Sequence, residues 1–338
     1  MDFVKVKKKS RFLDPKQGFE ETERISEVRY DPLTGSSTRI LDFPIREMKP
    51  CDLGTLIEDS KEMCPFCPEV IDKVTPKFHP DLLSKARYSK GKAICVPNAL
   101  PYDENGAVTV ISDKHHLSLK EFTTGIMSDA LVCCIEYLDD IVIKQPGVVY
   151  QSINWNYMPL AGGSIVHPHL QITASATPTN YYIEMIPALI QYELKNNSGF
   201  WHDIVREEKR LAQRYITSDR GLSWIVAFAP MGVFDIIGVL HEVKRPSDIS
   251  GGVLEALVRG ILKVLAYIDS LNMHSLNMSI YFLLDQDVFV PHVRICPRVS
   301  IGPFDTSQVN YMRMLHKETL TTIRPEDVCT AIKLMWGD

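Results

Sequence analysis

One order of elements is written twice in this chain, and that repeat limits the folds open to it. In the first copy, "KAICVPN" and "AVTVISD" read as buried strands, with the turn residues Pro101, Asp103, Asn105 and Gly106 between them. "SLKEFTTGIMSDALVCCIEYLDDIVIK" follows as an amphipathic helix. Its apolar positions Ile126, Ala130, Cys133, Tyr137 and Ile141 recur at three- and four-residue steps. "GVVYQSINWN" and "VHPHLQITAS" complete the copy as strands. The second copy runs "LSWIVAFAP", "FDIIGVLHEV", the helix "GGVLEALVRGILKVLAYIDSL", then "NMSIYFLL" and "VFVPHVRICP". Strand–strand–helix–strand–strand, twice, predicts an α+β fold of two tandem half-domains, each an antiparallel sheet with a packed helix. The division falls at residue 178, with 1–178 as one half and 179–338 as the other. "YYIEMIPALIQYELKN" and "FWHDIVREEKRLAQRYI" read as helices that link the copies and cover the sheet. The first 60 residues are polar and turn-rich, and read as irregular arms or short edge strands.

The chain of 338 residues is 45% hydrophobic, enough for a large core and about two domains. Its net charge of −5 and lack of a basic stripe argue against bulk nucleic-acid binding and leave a single nucleotide as a possible ligand. "MDFVKVKKKSRFLD" lacks the apolar run of a signal peptide, and no window reaches the roughly 18 apolar residues of a membrane helix. The chain therefore reads as soluble and cytoplasmic, without a membrane partner. Of its eight cysteines, Cys51, Cys64, Cys67, Cys95, Cys133, Cys134, Cys296 and Cys329, only Cys64 and Cys67 have a diagnostic spacing. In a reducing compartment that spacing favours metal or redox chemistry over a disulfide.

The chemistry gathers in "GGSIVHPHLQIT". Strand side chains alternate faces, so His167, His169 and Gln171 point the same way, while Pro168 places an edge or bulge between the histidines. The plain reading is a solvated strand face. Gly162, Gly163 and Ser164 directly before it sharpen that reading, since glycine lets backbone amides approach a phosphate and serine adds a hydroxyl donor. "CPFC" supplies two of the four ligands a tetrahedral zinc needs, with His115 or His116 of "DKHH" and one strand histidine as the natural remainder. The alternative, a redox dithiol, lacks a thioredoxin-like context. Two sulfurs and two imidazoles suit zinc best, with iron the other option. With His167 on the metal, His169 is left to attack phosphorus as a neutral imidazole. Ser164, the turn amides and Gln171 are placed to neutralise the phosphoryl oxygens. Cys133 and Cys134 read as helix core, and Trp201, His202 and His316 as packing or surface residues.

Together these segments resemble the galactose-1-phosphate uridylyltransferase branch of the histidine-triad superfamily. "RYDPLTG" is similar to that family's opening signature, "CPFC" to its first metal pair and "ISDKHHLSL" to the segment giving a third ligand, at His115. "NWNYMPLAGGSIVHPHLQ" is similar to its Asn-Lys-Gly…Ser-x-Pro-His-Pro-His-x-Gln strand pair. The resemblance implies two histidine-triad-like half-domains, the first catalytic and the second degenerate. It implies one structural zinc site at Cys64, Cys67, His115 and His167, and a nucleophile at His169 beside Ser164 and Gln171. Substrate-binding candidates are Arg29, Asn98, Asn156, Gly162, Gly163 and Tyr311. The implied reaction is a ping-pong transfer of a nucleoside monophosphate from a nucleotide-sugar-like donor through nucleotidyl-His169 to a phosphorylated acceptor such as a hexose 1-phosphate, by a homodimer in carbohydrate metabolism. Gln171 stands where hydrolytic members carry histidine, which favours transfer over release to water. "PNAL" replaces the family's Asn-Asp-Phe, and Tyr311-Met312 its Tyr-Glu, so uracil and hexose preference do not carry over. In the second copy, His292-Val-Arg294-Ile-Cys296 lies opposite His167-Pro-His169-Leu-Gln171, and with His292 alone no second metal is expected. Alternative activities are a phosphorylase or hydrolase of ADP-sugars, dinucleoside polyphosphates or adenylyl sulfate, or a non-catalytic nucleotide-binding regulator.

Overall fold

The computed structural model describes residues 1–43, 53–301 and 306–337; Cys51 lies outside them. An N-terminal arm holds β1 (Lys5–Asp14), β2 (Glu20–Tyr30) and β3 (Ser37–Leu41), and α1 (Gly54–Lys61) and α2 (Ile71–Val74) flank "CPFC". The first repeat is β4 (Tyr88–Lys90), β5 (Ala93–Pro97), β6 (Asn105–Val110), α3 (Thr124–Lys144), β7 (Tyr150–Tyr157) and β8 (His169–Ser175). Then come α4 (Asn180–Asn196) and α5 (Phe200–Leu211). The second repeat is β9 (Tyr215–Asp219), β10 (Leu222–Val226), β11 (Ile236–Leu240), α6 (Gly251–Ser270), β12 (Leu276–Leu283) and β13 (His292–Pro297). The tail carries β14 (Ser300–Ile301), β15 (Thr306–Ser307), α7 (Tyr311–His316), β16 (Thr319–Thr321) and α8 (Pro325–Trp336).

The repeat expected from sequence is present, and each copy gains a short leading strand, β4 or β9. Both copies share one ten-stranded sheet in the order β4-β5-β6-β8-β7-β12-β13-β11-β10-β9. Outward from the central seam, the two halves have the same order. The seam is an antiparallel ladder of eight residue pairs, from Tyr150 opposite Leu283 to Tyr157 opposite Leu276. The boundary at 178 falls between β8 and α4, yet the start of the chain crosses it: β3 pairs in parallel with β16.

Alternation along the strands gives the sheet two different faces. Ile153, Trp155, Leu170, Ile172, Met278 and Ile295 point to one face and join the largest apolar cluster with residues of α3 and α6. Gly260 of α6 lies against Trp224 of β10, where an added Cβ would stand 2.3 Å from the indole. The Thr123 side chain caps α3 by accepting from the Ile126 amide. The opposite face carries the paired polar residues: Gln171 opposite Asn154, Asn154 opposite Ser279, and Asn156 opposite Asn277. Its flanks are covered. Phe66, Ile71 and the two cysteines of "CPFC" pack on Val96, Val108 and Val110 of the first half, and α4 and α5 pack on Ile225, Ile237 and Val239 of the second. A polar band is left along the middle.

Candidate active site and metal centre

Four side chains from three segments meet where "CPFC" folds onto the head of β8. Cys67 Sγ lies 3.4 Å from His115 Nδ1 and 3.8 Å from His167 Nδ1, and Cys64 Sγ lies 3.6 Å from His167 Nδ1. All four ligand atoms fall within 4.8 Å of one another. A tetrahedral zinc with Zn–S and Zn–N bonds of ordinary length separates sulfur from nitrogen by about 3.5 Å. The cluster can therefore hold one metal ion. Both imidazoles are oriented for it. His167 Nε2–H donates to the Ser112 carbonyl at 2.7 Å, which leaves the Nδ1 lone pair facing the sulfurs. Ser60 Oγ donates to the Ile57 carbonyl and so accepts from His115 Nε2–H at 3.0 Å, turning that Nδ1 the same way. His116 is not in the cluster, and its buried Nε2 has no hydrogen-bond partner among the described residues. Burial, with Cys64 alongside, pushes the Cys67 thiol up to about 11, and burial lowers His167 to about 4. A thiolate pair at neutral pH thus calls for a cation, while the imidazole is already in the neutral form a metal needs.

His169 is the first residue of β8 and is 5% exposed. Its Nδ1–H donates to the His167 carbonyl at 2.8 Å, so Nε2 carries the lone pair. Burial lowers its pKa, which keeps the ring neutral at pH 7. One residue thus serves both groups, His167 offering its ring to the cluster and its carbonyl to His169. Phe66, inside "CPFC", packs at 5.2 Å from the His169 ring and 6.2 Å from the His167 ring. Gln171 and Asn154 are opposite one another, and Asn154 Nδ2 donates to the Gln171 carbonyl at 3.3 Å. Asn156 Oδ1 accepts from Asn277 Nδ2 at 2.7 Å, across the seam.

The Gly-Gly-Ser turn works differently from the expectation. Gly162 has a φ of +88°, and its amide donates to the Pro159 carbonyl at 2.9 Å, while the Gly163 amide donates to the Met158 carbonyl at 3.3 Å. These two amides are bonded inside the turn. Gly163 is needed for space: a Cβ there would lie 2.7 Å from the Asn156 carbonyl oxygen. Ser164 is exposed at the end of the turn.

Other candidates lie elsewhere or serve the fold. Asn98 Oδ1 accepts from the Leu100 amide and shapes the β5–β6 turn, with its backbone amide bonded to the Gly106 carbonyl. Arg29 is 1% exposed and bonded to Glu27, Glu326 and the Phe228 carbonyl, which ties the arm to the C-terminal half and not to His169. Tyr311 begins α7, 66% exposed. The expected overlay of His292 on His167 is corrected: His292 opens β13 as His169 opens β8. Its Nδ1–H donates to the carbonyl two residues back, Val290, at 2.9 Å, repeating the bond from His169 to His167. A shift of two residues keeps every side chain on its face, so alternation alone did not separate the two overlays. Sequence reasoning missed Phe66, Asn154, Ser60 and Ser112. Asn154 carried a signal, sharing its face with Asn156 in "INWN"; the Ser112 carbonyl, a backbone group, carried none.

Solved structures match this architecture over nearly its whole length. A GalT-like protein from Arabidopsis thaliana has a TM-score of 0.68 at 16% identity, covering 90% of this chain and 98% of its own. A uridylyltransferase has a TM-score of 0.66 at 17% identity, covering 92% and 98%. The chain has the uridylyltransferase fold. An ADP-glucose phosphorylase from Arabidopsis thaliana, solved with bound ADP-glucose, shares that fold with a TM-score of 0.68 at 16% identity, covering 91% and 98%. A curated protein of Archaeoglobus fulgidus, itself uncharacterized, is 29% identical over 318 residues, 94% of each chain. No protein-family profile matches the chain. The α+β expectation and the resemblance in fold both hold, and no described helix is long and apolar enough to cross a membrane.

Proposed function

We propose that this protein is a nucleotidyltransferase or phosphorylase of the galactose-1-phosphate uridylyltransferase kind, working through a covalent nucleotidyl-His169. The observation that carries this reading is the His169 Nδ1–H bond to the His167 carbonyl, which fixes the tautomer and leaves Nε2 as the nucleophile. The fold shared with a uridylyltransferase and an ADP-glucose phosphorylase supports it.

The chemistry follows from the atoms. His169 Nε2 attacks the α-phosphorus of a nucleotide-sugar-like donor; the new N–P bond forms as the bond to the bridging oxygen breaks, and the sugar phosphate leaves with both electrons. Charge on the ring is eased through Nδ1–H and the His167 carbonyl. The Ser164 hydroxyl and the Gln171 amide donate to the phosphoryl oxygens, and Asn154 and Asn156 line the same face. In the second half-reaction a phosphate oxygen of the acceptor attacks phosphorus and Nε2 departs neutral. Gln171 has no acidic proton to give, which fits an acceptor that is already ionised. Cys64, Cys67, His115 and His167 would hold a zinc ion, whose service is structural: it draws the thiols to thiolates and pins "CPFC" to the strand head.

A two-step transfer through the enzyme has a direct signature. With donor present and acceptor omitted, isotope-labelled sugar phosphate should exchange into the donor, and His169→Ala should abolish the exchange. Tight nucleotide binding without exchange would instead favour a non-catalytic regulator. Inorganic phosphate, sulfate, sugar 1-phosphates and water as rival acceptors then separate transferase, phosphorylase and hydrolase.

A further inference from the structure

The structural equivalence of His169 and His292 shows what became of the second copy of the site. His292 is fully buried, the Tyr181 hydroxyl donates to its Nε2 at 2.6 Å, and the Trp201 ring lies 4.2 Å from its own. Helices α4 and α5, which bring Tyr181 and Trp201, therefore close the second imidazole off. Two residues on, where the first copy has Gln171, the second has Arg294, paired with the fully buried Asp235. Beyond this sealed corner the polar face opens again. A cavity of about 190 Å³ is lined by Arg294, Arg298, Arg313, Ser279, Asn277 and Gln308. A larger groove of about 540 Å³ shares the three arginines and continues past Tyr181, Trp201 and Phe228.

Among the described residues, the charges in this cavity do not balance. Asp235 answers Arg294, but Arg298 and Arg313 have no ion pair among the described residues. Arg313 Nη1 donates to Thr319 Oγ1 at 3.2 Å, and the buried Arg298 Nε has no hydrogen-bond partner among the described residues. Burial and the facing Arg313 press the Arg298 guanidinium below its ordinary value. The groove's carboxylates are engaged locally: Asp31 accepts from Leu33, Thr34 and its hydroxyl, and Glu184 from Ser36. Two guanidiniums in a part-desolvated cavity, with hydroxyl and amide groups around them, match a phosphate group, which takes forked donors and offsets both charges. The groove is within the size range of small-molecule sites.

We propose that this cavity, built mainly from the second copy of the same strand pair, binds the phosphate of a phosphorylated small molecule. The proposal does not depend on what His169 does. Calorimetric titration of the full-length protein with inorganic phosphate tests it. Wild type should bind; Arg298→Gln/Arg313→Gln should weaken binding at least about tenfold, the loss expected for removing charge-assisted bonds. Arg298→Lys/Arg313→Lys, which keeps both charges but not the forks, should bind more tightly than the glutamine pair and so guards against a folding defect. No binding by wild type, or equal affinity in the double glutamine variant, would overturn the proposal.

Discussion

Two histidines two residues apart do different work because their rings are held by different ends. The ring of His167 is held through Nε2 by the Ser112 carbonyl and turns Nδ1 toward the sulfurs, whereas His169 is held through Nδ1 and turns Nε2 outward. The pairing of sulfur with imidazole was legible from "CPFC", whereas the expected strand through both histidines starts only at His169, with His167 just before it. Adjacent residues in a turn offer no periodicity to separate His115 from His116; the resemblance pointed to His115, and the fold brings His115 to the cluster. The role of the glycines was also hidden: the sequence suggested amide donors, and the turn instead uses those amides itself. Gly163→Ala should therefore act through the carbonyl oxygen of Asn156, 2.7 Å from the new Cβ, and not through phosphate contacts. Forcing the turn apart should cost about 1–3 kcal/mol, as overpacking does. Chemical denaturation should show the loss, and an unchanged midpoint would count against the turn's tight packing.

Among elements, the long amphipathic helices and the apolar strands were readable because packing demands their periods. The arm was not. "KVKKKSRFLD" and "EETERISEVRY" are charged on both faces and read only as irregular arms or short edge strands, yet they form a ten-pair antiparallel hairpin stitched by ion pairs such as Lys9–Glu23 at 3.0 Å. Cross-strand charge pairs give such a hairpin its register without any apolar face to read. The segment around "CPFC" depends on a different support. Beyond its apolar contacts, it meets β8 through the two sulfurs and His167. Removing metal with a chelator should loosen this segment, and with it the carbonyl that orients His169. Hydrogen exchange should rise around Cys64–Cys67 and the head of β8 while α6 stays protected. Uniform protection with and without chelator would show that the cluster does not act as a clasp.

At the scale of the whole molecule, two copies share one sheet, and the ends of the chain are fastened by buried charges. Arg29 of the arm and Arg214 both meet Glu326 of α8, at 2.8 and 2.6 Å, and Arg29 also meets Glu27 at 3.0 Å. Burial raises the Glu326 carboxyl, but Arg29 and Arg214 outweigh it and hold it at about 2; Glu27 is lowered in the same way. A depressed folded pKa gives stability that is complete above the ordinary carboxylate value of 4.5 and is lost as pH falls toward 2. Glu208, which burial raises, acts with the opposite sign at higher pH. Thermal stability should thus fall between pH 4.5 and about 2, and more gently in Glu326→Gln; parallel pH profiles would rule out this fastening. The repeat made the doubled architecture legible and the resemblance implied a degenerate second copy, but the sealing of His292 was not readable, since it depends on α4 and α5, far away in sequence. The central claim is that only the first copy keeps a working nucleophile. Mass spectrometry of the intact protein and its peptides, after incubation with mixed nucleotide sugars and no acceptor, tests this most directly. The account predicts one nucleoside monophosphate added, on His169, and none in His169→Ala; an adduct that survives that substitution, or that sits on His292, would contradict it.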